Sequence, residues 1–170
     1  VKNRILKAMA KCCDSKHHVL RDIVLSGGTL YATDQYVAVT YEENWVLPTY
    51  TADMIVPQAW VREYKPSCEV EVSEGGFKFS GTGKPVFEEI DDGRYPAKSI
   101  EKMLDGAEAA GSDDRFAFNP RLVKKVVDVF IAADIDFKVS NCGTFLALRG
   151  IRRSSDRAIA EACAIVMGKR

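Results

Sequence analysis

NRILKAMAKCC, residues 3–13, is a helical pattern with Ile5, Leu6, Met9 and Cys13 along one face. Three strand-like runs follow it: HVLRDIVL (18–25), TLYATD (29–34) and YVAVTYE (36–42), with Gly27 and Gly28 as a turn between the first two. This plan of one helix and then three strands decides the reading of the chain, because it recurs.

A second copy opens with DMIV (53–56) and Pro57, continues through the helical QAWVREY (58–64), and reaches strands EVEVS (69–73), GFKFS (76–80) and PVFEEI (85–90). A third opens with RFAF (115–118), takes Asn119 as N-cap and Pro120 as first helical residue, and runs through RLVKKVVDVFIAA (121–133). Its strands are IDFKVS (135–140), TFLALRGI (144–151) and ACAIVMGKR (162–170). Pro57 and Pro120 stand 63 residues apart, a period that points to a repeated supersecondary module. GAEAAGSDD (106–114) reads as a linker, and SSDRAIAEA (154–162) as a loop or one short helical turn. The expectation is an α+β fold of antiparallel sheets with helices on one face, built from three helix-plus-three-strand units.

Composition narrows the function. The 170 residues carry 24 basic and 24 acidic side chains, so the chain as a whole is neither a basic nucleic-acid binder nor an acidic tail. Charge is nevertheless segregated: segments 2–13, 57–65 and 119–133 hold nine basic residues against two acidic ones. In each, the cations lie opposite the apolar face: Arg4, Lys7 and Lys11; Arg62 and Lys65 beside Gln58; Arg121, Lys124 and Lys125 beside Asp128. One such face is ordinary for a solvated helix, but three in corresponding positions suggest a shared surface for a polyanion. No apolar run is long enough to span a bilayer, no signal-peptide pattern opens the chain, and five cysteines without a framework suit a reducing compartment. A cytoplasmic protein with no membrane attachment is expected.

Four stretches carry a family resemblance. LYATDQYVAV (30–39), EEIDDGRYPA (88–97), AFNPRLVKKVV (117–127) and AIVMGKR (164–170) resemble, in the same order, segments of the bacterial DNA sliding clamp, the β subunit of DNA polymerase III. The chain departs from that family's pattern at Gln35, where the family has a turn glycine, at Ala97 and at Gly168. By this resemblance residues 1–105 are a clamp-like domain of two units, 106–114 a linker and 115–170 a clamp-like half-domain of one unit.

What the resemblance implies is a processivity or tethering factor without catalysis and without a cofactor. It would meet duplex DNA, independent of sequence, through Arg4, Lys7, Lys11, Arg62, Lys65, Arg121, Lys124 and Lys125. DNA polymerase or repair proteins would dock a short linear peptide into a pocket of Leu20, Thr33, Tyr36, Ala38, Pro96, Ile165 and Met167. Leu20, Ala38 and Ile165 are equally readable as plain strand core, whereas the aromatic Tyr36 and the flexible thioether of Met167 suit a surface accepting varied peptides. The odd number of units leaves an open sheet edge, so a symmetric homo-oligomer is expected, a dimer ahead of a four-chain ring. The second reading is a clamp-fold interaction protein outside any ring, a decoy or regulator of clamp-binding partners.

Other chemistry finds less support. Cys12, Cys13, His17 and His18 are the one metal-like cluster, but adjacent cysteines on a helix cannot readily turn to one ion. SGTGK (80–84) has Lys78 where a phosphate loop needs its first glycine and Pro85 where it needs Ser or Thr. The carboxylates Glu88, Glu89, Asp91 and Asp92 read as a solvated edge. No metal site and no enzyme is expected.

Overall fold

The computed structural model describes residues 1–17, 19–43, 54–56, 58–73, 76–80, 97–107, 117–154 and 157–168. The expected strand at 85–90, the acidic run beside it, His18, Pro57 and Pro96 lie outside the described residues.

Helix α1 (Asn3–Met9) tightens into a single 3-10 turn over Ala10–Cys12. Strands β1 (Ile23–Ser26), β2 (Thr29–Thr33) and β3 (Val37–Glu43) complete the first unit. Gly27 and Gly28 both have positive φ (55° and 90°), the backbone a two-residue hairpin turn requires, and pairing is tight from Ser26↔Thr29 onward. The second unit supplies β4 (Met54–Val56), α2 (Gln58–Glu63), β5 (Val70–Ser73) and β6 (Gly76–Phe79). A further helix, α3 (Ala97–Ala107), precedes α4 (Pro120–Ala133), β7 (Lys138–Asn141), β8 (Phe145–Ser154) and β9 (Arg157–Met167).

Helix α4 begins and ends as its sequence dictates. The Asn119 side chain accepts the Arg121 N–H at 2.9 Å, Pro120 fills the first turn, and Asp134 closes the helix in the left-handed region at φ 58°. Two readings are corrected. Residues 157–162, expected in a loop or helical turn, are strand: β9 starts at Arg157 and pairs with β8, which runs to Ser154, with a register shift at Arg152 and Arg153. The linker expected at 106–114 starts inside α3, which holds Gly106 and Ala107. Alternation of charged and small residues (Arg157, Ala158, Ala160, Glu161, Ala162) is a strand pattern, and it outweighs the Ser-rich start.

All strand pairs among the described residues are antiparallel. Seven strands form one sheet in the order β4-β1-β2-β3-β9-β8-β7, so the first and third units share it through β3 and β9, paired from Val37↔Val166 to Glu43↔Ala160. Strands β5 and β6 form a second sheet, which the chain entering α1 extends through the bridge Lys2↔Glu69. The exchange is reciprocal: β4, which leads into α2, pairs with β1 of the first unit. Asn3 locks the exchange, its buried amide donating to the carbonyls of Val61, Tyr64 and Lys65 at 3.2, 2.9 and 3.2 Å.

Period-two alternation divides the large sheet into two faces. Ile23, Leu25, Leu30, Ala32, Val37, Val39 and Tyr41, with Ala162, Ala164 and Val166, join Leu6, Met9, Val126, Val129 and Phe130 of α1 and α4 in the main core. Val24, Tyr31 and Ala38 project from the other face and meet Ala97 and Ile100 of α3 in a smaller cluster that includes Leu20. The helices expected from the repeat thus share one face, and α3 adds cover on the second. Its apolar residues Ala97, Ile100, Met103 and Leu104 fall at helical spacing.

Candidate nucleic-acid interface and peptide pocket

Helices α1 and α4 lie side by side, and their outer faces border an open groove of about 540 Å³ lined by Arg4, Lys7, Lys11 and Lys124, with Asp128 and Ile131. Four of the eight cations expected to meet DNA therefore converge. The Lys7 ammonium donates to the Arg62 carbonyl at 3.0 Å, while the Arg62 guanidinium donates to the Gln58 side-chain oxygen at 2.7 Å, which sets Arg62 beside the groove. Lys65 and Arg121 are exposed but do not line it. Lys125 points elsewhere: its ammonium meets the Asp34 carboxylate at 2.5 Å, in a half-buried pair at the turn before β3. That pairing separates Lys125 from the other expected cations, because adjacent helical residues diverge by about 100°.

Asp128 is the one carboxylate among the groove's lining residues. Its oxygens accept from Lys11 at 3.1 Å and from Lys124 at 2.8 and 3.0 Å, bridging α1's 3-10 turn to α4. The Lys124 hydrogen bonds, and then that of Lys11, hold its carboxyl below the usual carboxylate range against the opposing effect of burial.

On the opposite face of the sheet, a cavity of about 150 Å³ opens between β3, β9 and α3. Thr33, Tyr36, Ala38, Ile165 and Met167 line it, five of the seven residues expected in a peptide pocket. Leu20 is not a lining residue; it is buried in the cluster beneath α3, and Pro96 lies outside the described residues. The volume fits an anchor side chain better than a cofactor, which takes several hundred Å³.

The pocket's rim is a rigid turn. Thr33 Oγ1 donates to the Val37 carbonyl at 2.7 Å, and one Asp34 oxygen accepts the N–H groups of Tyr36 and Val37 at 3.1 and 2.9 Å. Between them Gln35 has φ 74°, a left-handed backbone that disfavours a side chain. Tyr36 stands out from this turn 60% exposed, and its carbonyl accepts the Met167 N–H at 2.8 Å.

Ser99, Ile100 and Met103 form the third wall, and the sequence reading missed them. The i, i+3, i+7 spacing of Ala97, Ile100 and Leu104 was the available signal, but the adjoining acidic and small residues read as linker. The Tyr31 hydroxyl donates to Glu101, anchoring α3 to β2. A wider trough of about 570 Å³ follows β7 and β8 past Leu104, lined by Lys138, Arg149, Ile151 and Arg153, and contains none of the expected site residues.

The cysteine cluster is apolar in character. Cys12 and Cys13 are buried, and desolvation pushes both thiols up, Cys13 to about 12, so neither is readily a thiolate ligand. Among the described residues, no group of three His, Cys, Asp or Glu side chains is placed to hold a metal ion. None of the described helices is long and apolar enough to cross a membrane.

Searches against family models and against curated proteins give no match for this chain. Among solved structures, the chain is similar to the β subunit of DNA polymerase III from Thermotoga maritima, with a TM-score of 0.60 and 13% identity. The likeness covers 98% of this chain and 61% of that one, so the chain spans under two thirds of the neighbour's length. At that identity the likeness is one of architecture: the fold of this chain is clamp-like, α+β with antiparallel sheets.

Proposed function

We propose that this chain is a clamp-like, non-catalytic tether that holds duplex DNA without sequence preference and recruits a partner protein through a short peptide. The observation that carries this reading is the basic groove between α1 and α4, where Arg4, Lys7, Lys11 and Lys124 from two separate segments converge on one outer surface. Ammonium and guanidinium groups on rigid helices recognise phosphate spacing and charge rather than base edges, so binding is independent of sequence and dependent on salt. The apolar cavity of Tyr36, Ile165 and Met167 lies across the sheet, where a Leu or Phe anchor of a polymerase or repair protein could bury itself while DNA is held on the other side. Strand β7 pairs only with β8 among the described residues, and its outer edge is the natural place for a second copy in a symmetric oligomer.

The test is retention on DNA. Fluorescence anisotropy with labelled duplexes of unrelated sequence is expected to give equal affinities that fall linearly on a log–log plot as salt rises. Changing Lys7, Lys11 and Lys124 together to Glu is expected to abolish binding while the circular dichroism melt stays cooperative. No wild-type binding at low salt, or a clear preference for one sequence, contradicts the proposal. Peptide binding without DNA retention would favour the second reading, a clamp-fold interaction protein.

A further inference from the structure

We propose that Asp128 is a built-in competitor for phosphate in the groove between α1 and α4, engaging Lys11 and Lys124 so that a polyanion is held loosely. The inference rests on the reading of that groove as the DNA-facing surface and says how its grip is regulated.

Geometry carries it. One carboxylate serves two ammonium groups from different elements, Lys11 at 3.1 Å and Lys124 at 2.8 Å, and among the described residues no other carboxylate lines the groove. The three members differ in freedom. The side chains of Lys11 and Lys124 are 59% and 73% exposed, whereas that of Asp128 is 21% exposed. Long exposed lysines can swing towards a phosphate, but the short Asp128 side chain, seated on the middle of α4, cannot withdraw. A phosphate that takes one lysine finds the other still neutralised. One that takes both stands beside an unpaired carboxylate, and like charges at that range repel.

The groove therefore offers fewer phosphate contacts than its four cations suggest. A tether that must move along DNA benefits from this, since each full contact adds to the affinity that sliding has to interrupt. The hydrogen bonds from Lys124 hold the Asp128 carboxyl below its ordinary range, which agrees with the geometry: the carboxylate stays charged through the physiological range, so the competition persists there.

The measurement is the salt dependence of duplex binding for wild type, Asp128→Asn and Asp128→Ala, with Asp105→Asn as a control. Asp105 is an exposed residue of α3 that lines a cavity on the opposite face of the sheet, so its variant makes the same change in net charge away from the groove. Both Asp128 variants are expected to bind roughly tenfold tighter at low salt, with a log–log slope steeper by about one to two, since each restored phosphate contact adds about 0.9. The Asp105 variant is expected to match wild type. Binding by the Asp128 variants with none by wild type at low salt overturns the inference together with the DNA reading, because the native groove would then hold no duplex. Wild-type binding with unchanged affinity and slope in the Asp128 variants overturns the inference and leaves the DNA reading standing. Equal gains in the Asp105 and Asp128 variants overturn it too, because net charge alone would then be responsible. No binding by any of the proteins, each shown folded by circular dichroism, overturns both.

Discussion

The two faces of the seven-stranded sheet are finished differently. Under α1 and α4 the side chains of Leu6, Met9, Val126, Val129 and Phe130 are fully buried, and the main core continues into the second sheet through Val70, Phe77 and Phe79. Of the described side chains of α3 itself only Ala97 and Ile100 are buried, and Met103 remains 39% exposed. The sealed face presents only the solvent side of its helices, which is cationic, so the recognition proposed there would be a matter of charge. The thinly covered face leaves a gap beside α3, so the recognition proposed there would be a matter of apolar burial.

The largest effect that could break this contrast is on stability. Phe130→Ala, beneath α4 and tilted against Phe137 at 4.8 Å between ring centroids, is expected to cost about 3–5 kcal/mol. Ile100→Ala, beneath α3, is expected to cost about 2 kcal/mol, at the low end for its type because the small cluster can collapse. Urea denaturation at neutral pH measures both, and equal costs would mean that α3 is as integral to the core as α4.

A smaller effect sharpens the pocket side. Tyr36→Ala combined with Met167→Ala is expected to weaken a Leu- or Phe-anchored clamp-binding peptide roughly tenfold, from a wild-type Kd on the order of 1 μM. A fluorescence titration in which the double variant binds like wild type would put the peptide elsewhere, the trough along β7 and β8 being the next place to look.

The smallest effect lies at the rim. Gln35→Gly at φ 74° removes the strain of a left-handed side chain and is expected to raise stability by about 0.5–1 kcal/mol, even though glycine gains freedom when unfolded. A lower melting temperature would mean that the Gln35 side chain makes contacts worth more than the strain it carries.

How much of this was legible in the sequence follows the same divide. The α1 and α4 face was readable because amphipathic periodicity, the Asn119–Pro120 start and opposed charge all agree locally. Most of the described strands were readable from alternation and from Gly27 and Gly28, but β1 begins only at Ile23 and the first residues of β9 read as loop or helical turn. Which strands join was not, since the pairing of β3 with β9 spans more than a hundred residues and depends on tertiary packing. The pocket was half legible: the turn at Asp34 and the end of β9 carry recognisable segments, but α3 hides in residues whose small and acidic composition imitates a linker. Lys125 shows the limit of charge reading, because its neighbour in sequence faces the groove while Lys125 itself pairs with Asp34 across 91 positions.

The most direct test of the account is a crossed binding experiment on the two faces. Duplex and peptide affinities would be measured for wild type, for the Lys7, Lys11 and Lys124 charge-reversal variant and for the Tyr36 and Met167 double variant, each with and without saturating amounts of the other ligand. The account predicts that the first variant loses DNA and keeps the peptide, the second binds the peptide roughly tenfold more weakly and keeps DNA, and wild type binds both at once with unchanged affinities. Mutual exclusion of DNA and peptide, or loss of both ligands from either variant while it remains folded, would contradict it.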